Sequence, residues 1–443
     1  MRNTVLTAFC FVLLMSLQVH AQTTLLQSGP MVGYSDMKEV ALWVQTTQDA
    51  KVKCMYWEKD APQKKFSTEE ITTTKNTAFT ATLKADQVSP GKKYTYELYI
   101  NGKNVKRPYP LEFQTQTLWQ WRTDPPEFTF ATGSCTYINE TDVDRPGKPY
   151  GGDYDIFTTI YQQKPDFMLW LGDNTYLREV DWNTRSGIMH RYTHTRSTPE
   201  MQPLLGSVHN YATWDDHDFG PNNANRSFWN KNITLEAFKL FWPSANYVLG
   251  EKAGVTSTFQ WNDVQFFLVD DRYFKTPNEN FVSSDRTLLG KEQLQWLVDA
   301  LISSDAPFKI VAIGCQVLNP AKLDDSYTYY QEEKDYLLKA IQEAKIPGVI
   351  FLDGDRHHSS LTKLERPGTY PLYDITISPL TAGVYTPKAD ENALMIPGTL
   401  VAEHNFALIN VKGPRTDRTL TIRVLNTKGK EMWTQELKAK ELK

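Results

Sequence analysis

Phe167-Met168-Leu169-Trp170-Leu171-Gly172-Asp173-Asn174-Thr175-Tyr176 is the stretch that decides the fold. Five apolar residues lie between Pro165 and Gly172, a run too short for a stable helix and long enough for a strand buried on both faces. Strands of that kind belong to sheets flanked by helices, where ligands gather at the carboxyl ends. Gly172 lets the chain turn tightly, so that Asp173 reaches inward. The same grammar recurs three times. Phe128 to Thr132 runs into Gly133-Ser134-Cys135, Tyr211 to Trp214 into Asp215-Asp216-His217-Asp218, and Val349 to Leu352 into Asp353-Gly354-Asp355-Arg356-His357-His358. The residue types are those of metal ligands, and four such clusters at domain-scale spacing predict one polynuclear metal site.

Around these clusters the chain has two textures. From about Pro126, strands alternate with amphipathic segments at Asp155 to Gln163, Leu235 to Trp242, Lys291 to Ile302 and Glu332 to Ala344. Further strands follow at Phe406 to Val411, Leu420 to Val424 and Glu431 to Leu437, which predicts an α/β fold with a two-sheet core flanked by helices. From Leu26 to Thr117 the runs are short, β-branched or aromatic and separated by polar turns, which predicts a small β-sandwich. Within it, Val88-Ser89-Pro90-Gly91 before Tyr94-Thr95-Tyr96 resembles the tyrosine corner of Ig and fibronectin III domains, and Asn101-Gly102 is a hairpin signal.

Composition sets outer limits. The 443 residues carry a net charge of −4, so no basic field marks a nucleic-acid-binding module. Arg2, the apolar run Val5 to Leu17 and Val19-His20-Ala21 form the pattern of a secretory signal peptide over residues 1–21. Cys10 lies inside its apolar run, away from the cleavage point, so there is no lipobox. No later run has the length of a transmembrane segment. The mature chain is expected to be periplasmic or secreted. It retains Cys54, Cys135 and Cys315, an odd number that makes a poor disulfide framework. Cys54 and Cys315 sit in apolar runs and read as buried thiols, whereas Cys135 closes a strand-end turn.

The run Asp215-Asp216-His217-Asp218 is the most demanding electrostatically. Three carboxylates within four positions repel one another and call for cations when packed behind the apolar lead-in Tyr211 to Trp214. Taken with Ser134-Cys135, Leu171-Gly172-Asp173 with Tyr176, Asp270 with Arg272, and Gly354-Asp355 with His357, this run resembles the PhoD-like alkaline phosphatases and phosphodiesterases of the metallophosphatase superfamily. The resemblance covers nearly the whole mature chain and implies a β-sandwich over residues 22–120 followed by a catalytic domain over 126–443.

It also implies a ferric ion, Fe(3+), on Cys135, Asp173 and Tyr176, with Asp355 completing the site and Asp173 bridging to calcium, Ca(2+). Asp216, Asn222 and His357 join the implied ligand set, although Gly220-Pro221 alters the spacing before Asn222. Thiolate and phenolate suit iron, and carboxylate and amide oxygens suit calcium. The implied reaction is hydrolysis of a small-molecule phosphoester by a hydroxide generated at the cations. His217 or His357 would protonate the leaving group, and Arg272 and Arg356 would clamp phosphate, unless Arg272 instead holds the acidic loop in a salt bridge.

Phosphodiester or phospholipase D chemistry is the alternative within the family. Purple acid phosphatases share the Gly-Asp-x-x-Tyr motif but need Gly-Asn-His and Gly-His-x-His segments, and this chain has neither. A non-catalytic, calcium-stabilised secreted binding protein would have no use for Cys135 and Tyr176. The oligomeric state is not written in the sequence.

Overall fold

The computed structural model describes residues 25–443 apart from 252, 280–284, 324 and 389, so the segment read as a signal peptide lies outside the described residues. Two sheets face each other at the centre. One has nine strands in the order Glu431–Lys438, Thr419–Asn426, Asn405–Lys412, Phe128–Gly133, Phe167–Leu171, His209–Thr213, Leu26–Ser35, Val40–Thr46 and Thr80–Ala85. The other has six, in the order Ser257–Trp261, Val264–Leu268, Lys309–Ala312, Val349–Asp353, Leu372–Thr376 and Ser360–Leu364. Strands 128–133, 167–171 and 209–213 run parallel, as do 264–268, 309–312, 349–353 and 372–376. All four predicted clusters therefore follow carboxyl ends of parallel strands.

Aromatic packing joins the sheets. Phe130 and Phe167 stack with ring centroids 4.9 Å apart, and Phe266 of the facing sheet meets both edge-on at 5.3 and 5.4 Å. Each of these rings is fully buried, a contribution of about 1.5–3 kcal/mol apiece. Helices Asp155–Gln162, Arg185–Arg196 and Lys231–Phe241 supply buried side chains to the core on the far face of the larger sheet, and Lys291–Ser303 and Gln331–Glu343 pack on the smaller one.

Helix Arg185–Arg196 was not legible in its periodicity, because two of its buried residues are arginines. Arg191 is neutralised by Asp181 and Glu140 at 2.8 and 2.6 Å, and Arg196 lies over the Trp242 ring at 3.8 Å.

The amino-terminal region departs from a free-standing sandwich. Its strands divide between two sheets that share one apolar core containing Val44, Cys54, Tyr56, Leu83 and Tyr96. The sheet that holds Leu26–Ser35, Val40–Thr46 and Thr80–Ala85 is the nine-stranded sheet itself, joined through the parallel pairing of Val32 with His209. The other comprises Ala50–Glu58 and Lys93–Ile100 with four short partners. The Ser89 N–H donates to the Tyr94 hydroxyl at 2.8 Å, and Asn101-Gly102 turns the hairpin with both residues left-handed. His209 ties the parts together: its Nδ1 meets the Gly33 carbonyl at 2.8 Å and its Nε2 accepts from the Gln114 N–H at 3.1 Å. Among the described residues no helix is long and apolar enough to cross a membrane.

Candidate metal centre

Three loops after parallel strands and one short helix converge on Asp173. Its backbone is left-handed, as are those of Cys135, Asp355 and His357, with φ between 52° and 62°. Non-glycine residues in that region cost of order 1 kcal/mol each, and such strain collects at functional sites. Close backbone approach forces the arrangement. A Cβ on Gly172 would lie 2.6 Å from the Asp215 Cβ, and one on Gly354 would lie 2.2 Å from the Ser134 Oγ.

The residues brought together form three overlapping groups whose ligand atoms all lie within 4.8 Å of one another. They are Cys135, Asp173 and His357; Asp173, Asp216 and His217; and Asp173, Asp215, Asp216 and Asp355. Asp173 belongs to all three. The Cys135 Sγ is 3.7 Å from the Asp173 Oδ2 and accepts from the Ser378 Oγ at 3.1 Å. Asp173 also accepts from the His217 N–H at 3.1 Å, and Asp216 from the Asn223 N–H at 2.6 Å. The Tyr176 ring stacks on His217 with centroids 4.2 Å apart, and its hydroxyl is 3.2 Å from the His357 Nε2.

The electrostatics are those of a cation site. Burial first, and then the charge of Asp216, pushes the Asp173 carboxyl well above the usual range. Burial likewise raises Asp355 to about 6 and Cys135 to about 11. Asp216 goes the other way: burial opposes its charge, but His217, Arg272 and the Asn223 N–H together outweigh it. His217 and His357 are both lowered, chiefly by burial. Buried oxygens on Asp215, Asp216, Asp355 and Asn174 receive no hydrogen bond. Carboxylate oxygens stacked this closely without donors fit metal ions, and the thiol and phenol beside them fit a softer one.

Other expected residues fall elsewhere. Asn222 is exposed, because the turn after Gly220-Pro221 puts Asn223 over Asp216 and makes the contact through its backbone. Arg272 is fully buried and is engaged by carboxylates, Asp215 of the third ligand group among them. Its guanidinium pairs with Asp215, with Asp325 at 3.0 Å and with Asp271 at 3.4 Å, so of the two readings the structure shows the salt bridge. Lys275 joins it on Asp325. Asp270 accepts backbone N–H groups from Val255, Arg272 and Tyr273 and serves as a turn residue. Arg356 lies 3.8 Å from Asp355.

Sequence reasoning missed Tyr150, whose hydroxyl is 3.2 Å from the His357 Nδ1, and also Ser378 and Asp325. None of these stands in a local motif, and only topology brings them in.

The model of the PhoD-like phosphatase family matches residues 130–410, and that of a domain of unknown function, DUF7800, matches residues 23–118. Alkaline phosphatase D of Bacillus subtilis (strain 168) is 24% identical over 331 residues, which are 64% of this chain and 54% of that protein. The chain thus spans about half the length of the curated relative it matches. The solved structure of PhoD superposes with a TM-score of 0.76 at 18% identity, covering 95% of this chain and 92% of that one. Purple acid phosphatase PPD1 from seeds of yellow lupin (Lupinus luteus) gives 0.67 at 13% identity, covering 93% and 74%. The strand-end cluster built on Asp173 sits inside the matched 130–410 segment, and the chain belongs to the PhoD-like phosphatase family.

Proposed function

We propose that this chain is an exported, metal-dependent phosphoester hydrolase that releases phosphate from small phosphomonoesters. The observation that carries the reading is the triple use of Asp173 by three overlapping ligand groups, amid buried carboxylate oxygens that lack hydrogen-bond donors. Cys135, Asp173, Tyr176 and Asp355 would hold iron, and Asp173 with Asp215 and Asp216 would hold calcium. Cations held by these residues would supply Lewis-acid chemistry: polarisation of a phosphoryl oxygen and a water of lowered pKa as nucleophile.

The remaining work falls to this chain's own side chains. His217, partly exposed and stacked on the Tyr176 ring beside Asp216, would donate a proton to the leaving oxygen. His357 lies beside it on the Tyr176 hydroxyl, where it orients that ligand. Arg356, 3.8 Å from Asp355 and 3.9 Å from Glu391, would be the guanidinium that meets a phosphate. Residues 1–21 would act as the export signal, 22–120 as an Ig- or fibronectin III-like module, and 126–443 as the catalytic domain.

Parallel assays on 4-nitrophenyl phosphate and bis(4-nitrophenyl) phosphate test this, with and without a chelator and beside Asp173→Ala. Monoester turnover lost on chelation and in the variant is expected. Preferential diester turnover would move the assignment to a phosphodiesterase, and turnover indifferent to chelation and to Asp173→Ala would refute it.

A further inference from the structure

The metal centre is open to solvent on one side. Cys135, Asp173, Tyr176, Asp215 and Asp216 are buried, whereas His217 and the turn Asp355-Arg356-His357 are partly exposed, so the open side lies over these last four residues. Its two rims differ. Beside His217 stands the polar turn Pro221-Asn222-Asn223, whose Asn223 N–H meets Asp216 at 2.6 Å. Beside His357 stand Tyr150, Val384 and Tyr385, which are 48%, 43% and 41% exposed, so that folding leaves large apolar side chains in water at this rim. We infer that Tyr150, Val384 and Tyr385 form a leaving-group subsite, which seats the aromatic or apolar alcohol portion of a phosphomonoester while its phosphate lies at the metal centre. The inference rests on the reading above that the centre hydrolyses phosphoesters.

This wall is held in place and is continuous with the centre. The Tyr150 ring has the rings of Tyr137, Tyr176 and His357 around it, with centroids 4.8, 6.4 and 6.0 Å away. Tyr176 in turn stacks on His217 at 4.2 Å, so two ring contacts join the subsite to the proposed proton donor. Asn139 holds the next residue, Gly151, through both of its amide atoms at 3.0 and 2.9 Å, and the Gly152 N–H donates to the Thr381 carbonyl at 2.7 Å. Gly383 makes room for the ring, since a Cβ there would lie 2.8 Å from the Tyr150 Cε2. Val384 and Tyr385 follow Gly383 directly, and the Tyr385 N–H donates to the His357 carbonyl at 2.9 Å. The Tyr385 hydroxyl donates to the Glu391 Oε1 at 2.7 Å, and Glu391 lies 3.9 Å from the Arg356 guanidinium.

Single exposed apolar side chains are commonplace on protein surfaces. Three that converge from two distant segments on one side of a site form a binding surface. The preference follows from what such a surface can do. A ring or alkyl chain carried next to the ester oxygen leaves water when it settles on this wall, and it removes apolar area of the wall from water as well. A polyol keeps its hydroxyls hydrated and gains nothing there. The wall therefore favours esters of aromatic and apolar alcohols over esters of sugars and glycerol.

Phenylphosphonate and methylphosphonate test this, because both carry the anionic head on a carbon–phosphorus bond that is not hydrolysed and they differ in the ring. Calorimetry on the chain loaded with iron and calcium should show phenylphosphonate binding about 10-fold tighter. Val384→Ser and Tyr150→Ala should each reduce that ratio about 3-fold. Tyr150→Phe, which keeps the ring and drops the hydroxyl, should preserve it. Because the readout is a ratio, any change that Tyr150→Ala makes to the centre itself cancels between the two ligands. With phosphonate binding intact, a ratio near one in wild type, or a ratio that Val384→Ser and Tyr150→Ala both leave unchanged, overturns the subsite. If neither phosphonate binds the loaded chain, the phosphoester reading falls and the subsite falls with it.

Discussion

Two acidic clusters meet back to back at Asp215, and they are balanced in opposite ways. Behind it, Asp215, Asp271 and Asp325 close on the guanidinium of Arg272 and the ammonium of Lys275, all of them buried. In front, Asp173, Asp216 and Asp355 crowd around Cys135 and Tyr176, and among the described residues the ion pair to these three carboxylates is the 3.8 Å approach of Arg356 to Asp355. The rear cluster carries its own counter-ions in the sequence. The front cluster leaves its charge to be met from outside, which is what a metal centre requires and a purely structural acidic core does not. The contrast also explains why Arg272, a natural phosphate clamp on paper, is a poor one here: three carboxylates already engage it.

The largest expected effect comes from breaking the internally balanced side. Arg272→Gln leaves Asp215, Asp271 and Asp325 buried around Lys275 alone, and should cost about 3–5 kcal/mol in chemical denaturation. A loss below about 1 kcal/mol would mean that the rear cluster is not held by that pairing.

A somewhat smaller effect belongs to neither cluster and calibrates both. Burial holds His209 at about 4 in the folded chain against an ordinary value of 6.5. The folded state thus binds fewer protons than the unfolded one between those values. Its contribution is fully present above pH 6.5 and is lost as the pH falls toward 4, by about 3 kcal/mol in all. His209→Gln should flatten that part of a pH–stability profile measured with chelator present.

The smallest effect has the opposite sign. Asp355→Asn removes one repelling charge from the front cluster, so the chelated protein should gain about 1 kcal/mol while its affinity for metal falls. Destabilisation of the chelated protein by this change would show that the front cluster is already compensated.

Much of this contrast was readable in the chain. Phe167 to Leu171 and Val349 to Leu352 announced buried parallel strands because nothing polar interrupts them, and Gly172 and Gly354 announced the turns that follow. Cys135, Asp173, Tyr176 and Asp355 were legible because each sits at a strand end, where register puts it at the same edge of the sheets. The rear cluster was not, since Asp325 and Lys275 lie in loops whose approach depends on how the two sheets pack. Tyr150 was hidden for the same reason: it meets His357 across 207 residues. The shared edge between the amino-terminal strands and the main sheet escaped as well, because strand alternation specifies a buried face and says nothing about which neighbour pairs along the edge.

Elemental analysis of the purified chain tests the central claim most directly, on wild type, Asp173→Ala and Asp325→Asn after identical dialysis. Iron and calcium are expected on wild type, both lost from Asp173→Ala and both retained in folded Asp325→Asn, whose change lies behind Asp215. Wild type that hydrolyses phosphoesters while holding no cation, or Asp173→Ala that keeps its full complement, would contradict it.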